Sequence, residues 1–392
     1  MKKYFIYFFV IVFACAAYSE IITYDDSWGQ AGFTLEQSDP MGVEINFSIN
    51  EFTLDDVVIN NENMQNVFLP GVFLPNDEGA PNLPGNGQFI AIPQGSTAEM
   101  RIISSRTETF SNIELAPAPR IPLETEDGPL EYNKDNSIYM HDAYYPENPV
   151  LLSEQTQIRG VDVVTLGITP FQYNPVTKEL VVYRDLQVEV NFVGGNGHFG
   201  EDRLRSRWWD PLLRDMLLNE QSLAEMTYNL NTNRTREGAE YLVICPDDPI
   251  FIAWADSIKA FRTKQGILTV VKTITEVGGN NATVIENYIN DIMNPGTGWD
   301  PAPAAILLLG DYGTTGNTIV SPIYNSYCAS DNIYADVSGN MMPDVTLARM
   351  TAQNETQLQT MVTKFLDYER TPPTNPDFYD HPITALGFQT ER

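Results

Sequence analysis

"ILLLGDYG" occupies residues 306–313, and its reading decides the fold of the second half of the chain. Ile306 to Leu309 form a continuous apolar run, the pattern of a strand buried on both faces of a parallel sheet. The run ends in Gly310 and Asp311. A carboxylate at the lip of a buried strand is costly unless its charge is used. Around this strand, from residue 241 on, apolar strands and amphipathic helices alternate. "YLVIC" is followed by "PIFIAWADSIKAFRTKQG", "ILTVVKT" by "NATVIENYINDIMN", and "DVTLARM" by "NETQLQTMVTKFLDYER", before a last strand "ITALGF". This alternation predicts an α/β subdomain on a mostly parallel sheet.

Residues 20–200 follow a different pattern. Short alternating or β-branched runs such as "GVEINFSI", "QFIAIP", "VDVVTLGITP" and "ELVVYRDLQVEVNFV" lie between Pro/Gly-rich breakers, which predicts an all-β antiparallel sandwich. "YNPVTKEL" reads as a hairpin. "VGGNGHFGED" (193–202) reads as a flexible joint, and residues 201–240 as a helix and linker. The helix is expected in "RWWDPLLRDMLLNEQSLAEM", from the spacing of Leu212, Leu213, Met216 and Leu217. "NLNTNRTREGAE" (229–240) is polar and carries Arg234 and Arg236. It fits either a processing linker open to proteases or an ordinary surface loop.

At the other end, Lys2 and Lys3 precede the apolar run Tyr4–Ala17, which predicts a secretory signal peptide over 1–19. Cleavage after Ser19 fits best; lipidation at Cys15 fits less well because bulky Phe13 precedes it. The run is shorter than the ~20 residues of a membrane span, so no span is expected once the signal is removed. The 392 residues carry 52 acidic against 23 basic side chains, a net charge of −29. Nucleic acid is therefore not expected as a partner, because phosphate binding requires a basic surface.

"DVSGN" sets oxygen-bearing side chains at 336, 338 and 340, with Asp344 beyond. Such a loop suits a hard cation, which takes six to eight oxygens, and equally suits a polar turn bonding its own backbone. Nucleophilic chemistry has little to draw on. Cys245 ends an apolar strand, and neither Cys328 nor His381 stands in a nucleophile or base motif. G-x-S-x-G, phosphate-binding loops and zinc spacing are absent.

"EYLVICPDD", "ILLLGDYG", "SDNIYADVSGNMMPDVTLAR" and "MVTKFLDYER" succeed one another as in the first part of the caspase-like catalytic domain of the gingipain-type cysteine peptidase family, which this sequence resembles. "APNLPG", "FIAIPQG" and "ITPFQYNPVTKELVVYRDLQVEV" resemble that family's β-sandwich propeptide. The resemblance implies a secreted bacterial zymogen that attacks polypeptides, with the first part of the peptidase domain over 241–392. In the family, the catalytic histidine of a Gly-His-Gly segment and the nucleophilic cysteine lie on a second subdomain. No Gly-His-Gly occurs here. The resemblance therefore carries over no catalytic residue and implies a C-terminally incomplete chain, inactive by itself. It also implies structural calcium, with Asp311, Asn340 and Asp344 as ligands and Ser338 and Met342 as backbone candidates. Asn340 departs from the aspartate found in many relatives. The alternative is a non-catalytic secreted binding or adhesion protein reusing both domains.

Overall fold

The computed structural model describes residues 19–72, 77–122, 128–228, 236–326 and 328–380. The expected signal sequence, Arg234, His381 and "ITALGF" lie outside these residues.

The strands of the first half pair antiparallel. Its strands are β1 (Ser19–Thr23), β2 (Gly32–Asp39), β3 (Gly42–Ser48), β4 (Glu51–Ile59), β5 (Glu62–Phe68), β6 (Asn86–Ala91) and β7 (Ser96–Ser111). After a short helix α1 (Asn136–Tyr139) follow β8 (Val150–Leu152), β9 (Thr156–Ile158), β10 (Val161–Ile168), β11 (Phe171–Asn174) and β12 (Glu179–Gly194). They form sheets β1-β4-β5, β6-β10-β8 with β9 also on β10, and β11-β12-β3-β2 with β7 also on β12. The period of two puts Val43, Ile45 and Phe47 of β3 and Val188 and Val190 of β12 into one core. Phe52 contacts Phe110 and Phe171 edge-on within the same half. The expected hairpin is β11–β12, where the Asn174 side chain accepts from the N–H groups of Val176 and Thr177.

The segment after β12 is neither a joint nor a long helix. Phe199 is buried in the sandwich core, and α2 covers only Asp210–Met216. At Leu217 the backbone turns extended, and Leu218 N–H donates to Phe89 O. Asn219 then clamps Ala91, accepting its N–H at 2.8 Å and donating to its C=O at 2.9 Å. Pairing to the sandwich edge thus outcompetes continuation of the helix. Trp209, Leu213, Leu217 and Leu223 complete the sandwich core, while Leu212 faces solvent.

The second half carries a parallel sheet in the order β14-β13-β15-β20. Its order along the chain begins β13 (Tyr241–Cys245), α3 (Pro249–Lys264), β14 (Thr269–Thr273), α4 (Ile274–Val277), α5 (Ala282–Met293) and β15 (Ala305–Leu309). A strap follows, with the short strands β16 (Asp311–Tyr312), β17 (Thr318–Ile319), β18 (Ile323–Tyr324) and β19 (Cys328–Ala329). Then come α6 (Asn332–Ala335), β20 (Thr346–Met350), α7 (Glu355–Arg370) and α8 (Asp377–Asp380). Asp248, Asn281 and Asn354 cap α3, α5 and α7 through their side chains. Alternate strand residues feed two cores. Val243, Leu307 and Leu309 meet α3 and α7; Leu242, Ile306 and Leu308 meet α5. Two-sided burial is why the strands read as unbroken apolar runs.

Candidate functional site

Parallel sheets present ligand sites at the C-terminal ends of their strands. At that edge, β20 aims Arg349 at the strap. Its Nε and Nη2 grip Asp331 at 2.7 Å each, and Nη2 also donates to Ser321 Oγ at 2.9 Å. Its Nη1 donates to the carbonyls of Ile319 at 2.8 Å, Gly310 at 3.1 Å and Asp311 at 3.3 Å. One guanidinium therefore pins the whole strap to the sheet end. Burial pushes the Asp331 carboxyl up, but the Arg349 and Ser321 hydrogen bonds outweigh it and hold the group below the ordinary value. The Asp311 carboxylate accepts from Gln353 Nε2 and from Tyr312 N–H, and these bonds lower its pKa. Asp311 thus ties β15 to the segment leading into α7.

Among the described residues, no histidine stands beside the thiols at this edge. Cys245 is buried in the α3–α7 core, and burial pushes its thiol up to about 12. Cys328 is half-buried in β19. Of the described histidines, His198 pairs with Asp202 in the first half and His141 is exposed beyond α1. Neither completes a thiol–imidazole pair.

Asp344 lies at the opposite edge, two residues before β20, whereas Asp311 lies two residues after β15. The parallel register pairs Ala305 with Thr346 and Leu309 with Met350, so a full strand length separates the two carboxylates. At about 3.3 Å per residue, that is on the order of 15 Å. Calcium ligands sit about 2.3–2.6 Å from the ion, so Asp311 and Asp344 do not fit one ion together. The oxygens of the acidic loop also accept hydrogen bonds. Asp336 accepts the N–H groups of Asn340 and Met341 at 2.9 and 2.8 Å. Asp344, almost fully buried, accepts Ser338 N–H at 2.8 Å and Arg159 N–H at 2.6 Å. The Asn340 oxygen accepts Met342 N–H, and its amide donates to Thr156 Oγ1 and Gln157 O. Among the described residues, no three His, Cys, Asp or Glu side chains gather as a metal site. The register thus sets Asp311 apart from Asn340 and Asp344.

Arg159, which the sequence did not single out, is completely buried where the two halves meet. Arg203 and Arg207 flank it. Arg203 donates to the Trp299 and Met293 carbonyls, and Arg207 grips Glu240 with two bonds at 2.8 and 3.0 Å. "RLRSRWWD" held a legible signal: three arginines at alternate positions, beside two tryptophans, in a strongly acidic chain. Arg236 is exposed where the described second half begins.

Comparison with known proteins agrees with this division. Propeptide_C25 matches residues 29–198, and Peptidase family C25 matches residues 234–385. The chain belongs to the gingipain-type cysteine peptidase family. Among gingipain relatives, Lys-gingipain of Porphyromonas gingivalis is 26% identical over 361 residues, which are 88% of this chain and 20% of the relative. Gingipain R2 of the same species is 22% identical over 77% of this chain and 40% of its own length. The chain thus spans a fifth to two fifths of these gingipains. A solved complex of the pro- and mature domains of RgpB from P. gingivalis aligns with 48% of this chain and 97% of that one, at 19% identity and a TM-score of 0.43. A structure described as bearing on the zymogenic latency of gingipain K aligns over 46% of this chain at 24% identity, with a TM-score of 0.39.

Proposed function

We propose that this chain is part of the precursor of a secreted gingipain-type cysteine peptidase: a signal sequence, a sandwich propeptide and the first part of the peptidase domain. The observation that carries this reading is the succession of a propeptide match and a peptidase match, the second beginning within the polar segment that holds Arg234 and Arg236. In this reading the sandwich assists folding of the peptidase half and keeps it latent until that segment is cut and the sandwich dissociates. Polypeptides are the substrates, attacked through a thioester by a cysteine activated by histidine. The described residues contribute the scaffold and none of the dyad. A second reading, a secreted binding protein without catalysis, draws on the lack of a thiol–imidazole pair among the described residues. One assay separates the two. The product of the natural gene should hydrolyse casein and lose that activity on alkylation of thiols. Inactivity after processing, or hydrolysis indifferent to alkylation, would reject the peptidase reading.

Calcium enters this proposal as a structural ion of the loop Asp336–Asp344 alone, supported by side-chain oxygens at alternate positions. Calcium should raise the melting temperature of the chain, and Asp336→Asn should abolish the rise. An unchanged melt with calcium would count against the ion.

A further inference from the structure

The tripeptide Gly-Asn-Gly occurs in two places, "GNGQF" (85–89) and "GNGHF" (195–199). An asparagine followed by glycine carries the parts of a ring-closing reaction. The glycine nitrogen attacks the asparagine Cγ, and a residue without Cβ leaves that nitrogen open to approach. Because the two tripeptides match, a difference between the sites comes from the fold.

At the first site, Asn86 and Gly87 open β6, the asparagine half-buried and the glycine exposed. Gly87 N–H donates to Asn86 Oδ1 at 2.8 Å. A carbonyl bond is about 1.2 Å long, so Cγ stands within about 4 Å of the Gly87 nitrogen. That is near the ~3–3.5 Å of an attack geometry. Nor does the ladder hold this nitrogen. Ala91 turns its N–H and C=O to Asn219, and Phe89 turns its C=O to Leu218, all away from β10. By the alternation of an antiparallel ladder, Gly87 turns its N–H to the same side. On that side lies a groove of about 660 Å³ lined by Asn86, Gln88, Phe33, Arg214 and Leu217. The exposed glycine there meets the water and base that the reaction uses.

At the second site the carboxamide is clamped at both ends. Asn196 Oδ1 accepts His198 N–H at 2.8 Å, and Nδ2, the leaving group, donates to Gln94 Oε1 at 3.0 Å. Asn196 N–H donates to Gln94 O, and Gln94 N–H donates to His198 O, which fixes the backbone on either side. Ring closure there must break the bonds at both ends of the carboxamide. Asn86 instead bonds the group that attacks it.

We infer that Asn86 is a site of spontaneous deamidation in the folded protein and that Asn196 is spared. The Gly87 nitrogen gives its proton to solvent base and bonds to Asn86 Cγ. The Cγ–Nδ2 bond breaks, Nδ2 takes up a proton and leaves as ammonia, and a succinimide closes. Water then opens the ring at either carbonyl, giving aspartate or isoaspartate. The isoaspartate carries the main chain through Cγ, one carbon longer, at the entrance to the strand that Leu218 and Asn219 grip. None of this depends on the peptidase reading.

The test incubates the whole chain at mildly alkaline pH and follows both sites by peptide mapping. Replacing the amide by a carboxyl group adds about 1 Da to the peptide. In the folded chain Asn86 should convert at least about tenfold faster than Asn196. In urea, where only the shared tripeptide acts, the two should convert at similar rates. Gly87→Ala would bring its Cβ to 3.4 Å from Thr165 Cγ2, an ordinary contact. It should therefore fold, and it should slow conversion at Asn86 about tenfold by crowding the nitrogen. Equal rates at the two sites in the folded chain would overturn the inference, as would an Asn86 that persists while the unfolded chain converts. An undiminished rate in folded Gly87→Ala would overturn attack by the Gly87 nitrogen.

Discussion

Arg349 and Arg159 show how much a single guanidinium organises here, one at each edge of the same sheet. Neither is singled out in the sequence, because nothing local announces that a long side chain will reach carbonyls far along the chain. Asp311 is different: its position at the end of "ILLLG" is legible, but its partner Gln353 is not, since that contact depends on how the next strand returns. The Arg349–Asp331 pair makes a pH prediction. The Asp331 pKa is depressed in the folded state below its ordinary 3.8. Its contribution is thus complete above that value and is lost as pH falls through the folded pKa. Melting temperature should drop as pH falls below 3.8, and Arg349→Gln should flatten that drop while costing about 3 kcal/mol at neutral pH, because it strands a largely buried carboxylate. A variant with the wild-type acid profile would show that the pair does not carry the strap.

At the scale of elements, periodicity recovered the sandwich strands and the β-α alternation because those patterns are local. It failed over 201–228. Apolar spacing at Leu212, Leu213, Met216 and Leu217 looks helical, yet a strand edge with unpaired groups at Phe89 and Ala91 draws the chain out of the helix. Only the tertiary partner decides between the two. The β9–β10 tip tests the same point. A Cβ at Gly160 would stand 2.7 Å from Leu204 Cδ1 and 2.9 Å from Glu201 Cβ, at φ +77°. Gly160→Ala should therefore destabilise the chain by about 1–3 kcal/mol and loosen the junction, measured by urea unfolding. An equal Ala variant at Gly95, also left-handed but with nothing within 4 Å, should cost less. Equal costs at the two sites would contradict close packing at the hairpin tip.

For the molecule as a whole, the two halves meet through a buried, directional junction rather than a loose linker, and the acidic loop expected to hold an ion is partly engaged by the sandwich. The candidate site was legible as a set of residue types, but the sequence could not show that Asp311 and Asp344 lie at opposite ends of a strand. Strand direction alone separates them. The peptidase reading stands on two matched regions in zymogen order, and its most direct test is hydrolysis by the natural gene product before and after scission within residues 229–240. The account predicts little hydrolysis before the cut and thiol-dependent hydrolysis after it, once the sandwich is dissociated. Equal activity before and after, or none in either state, would contradict it.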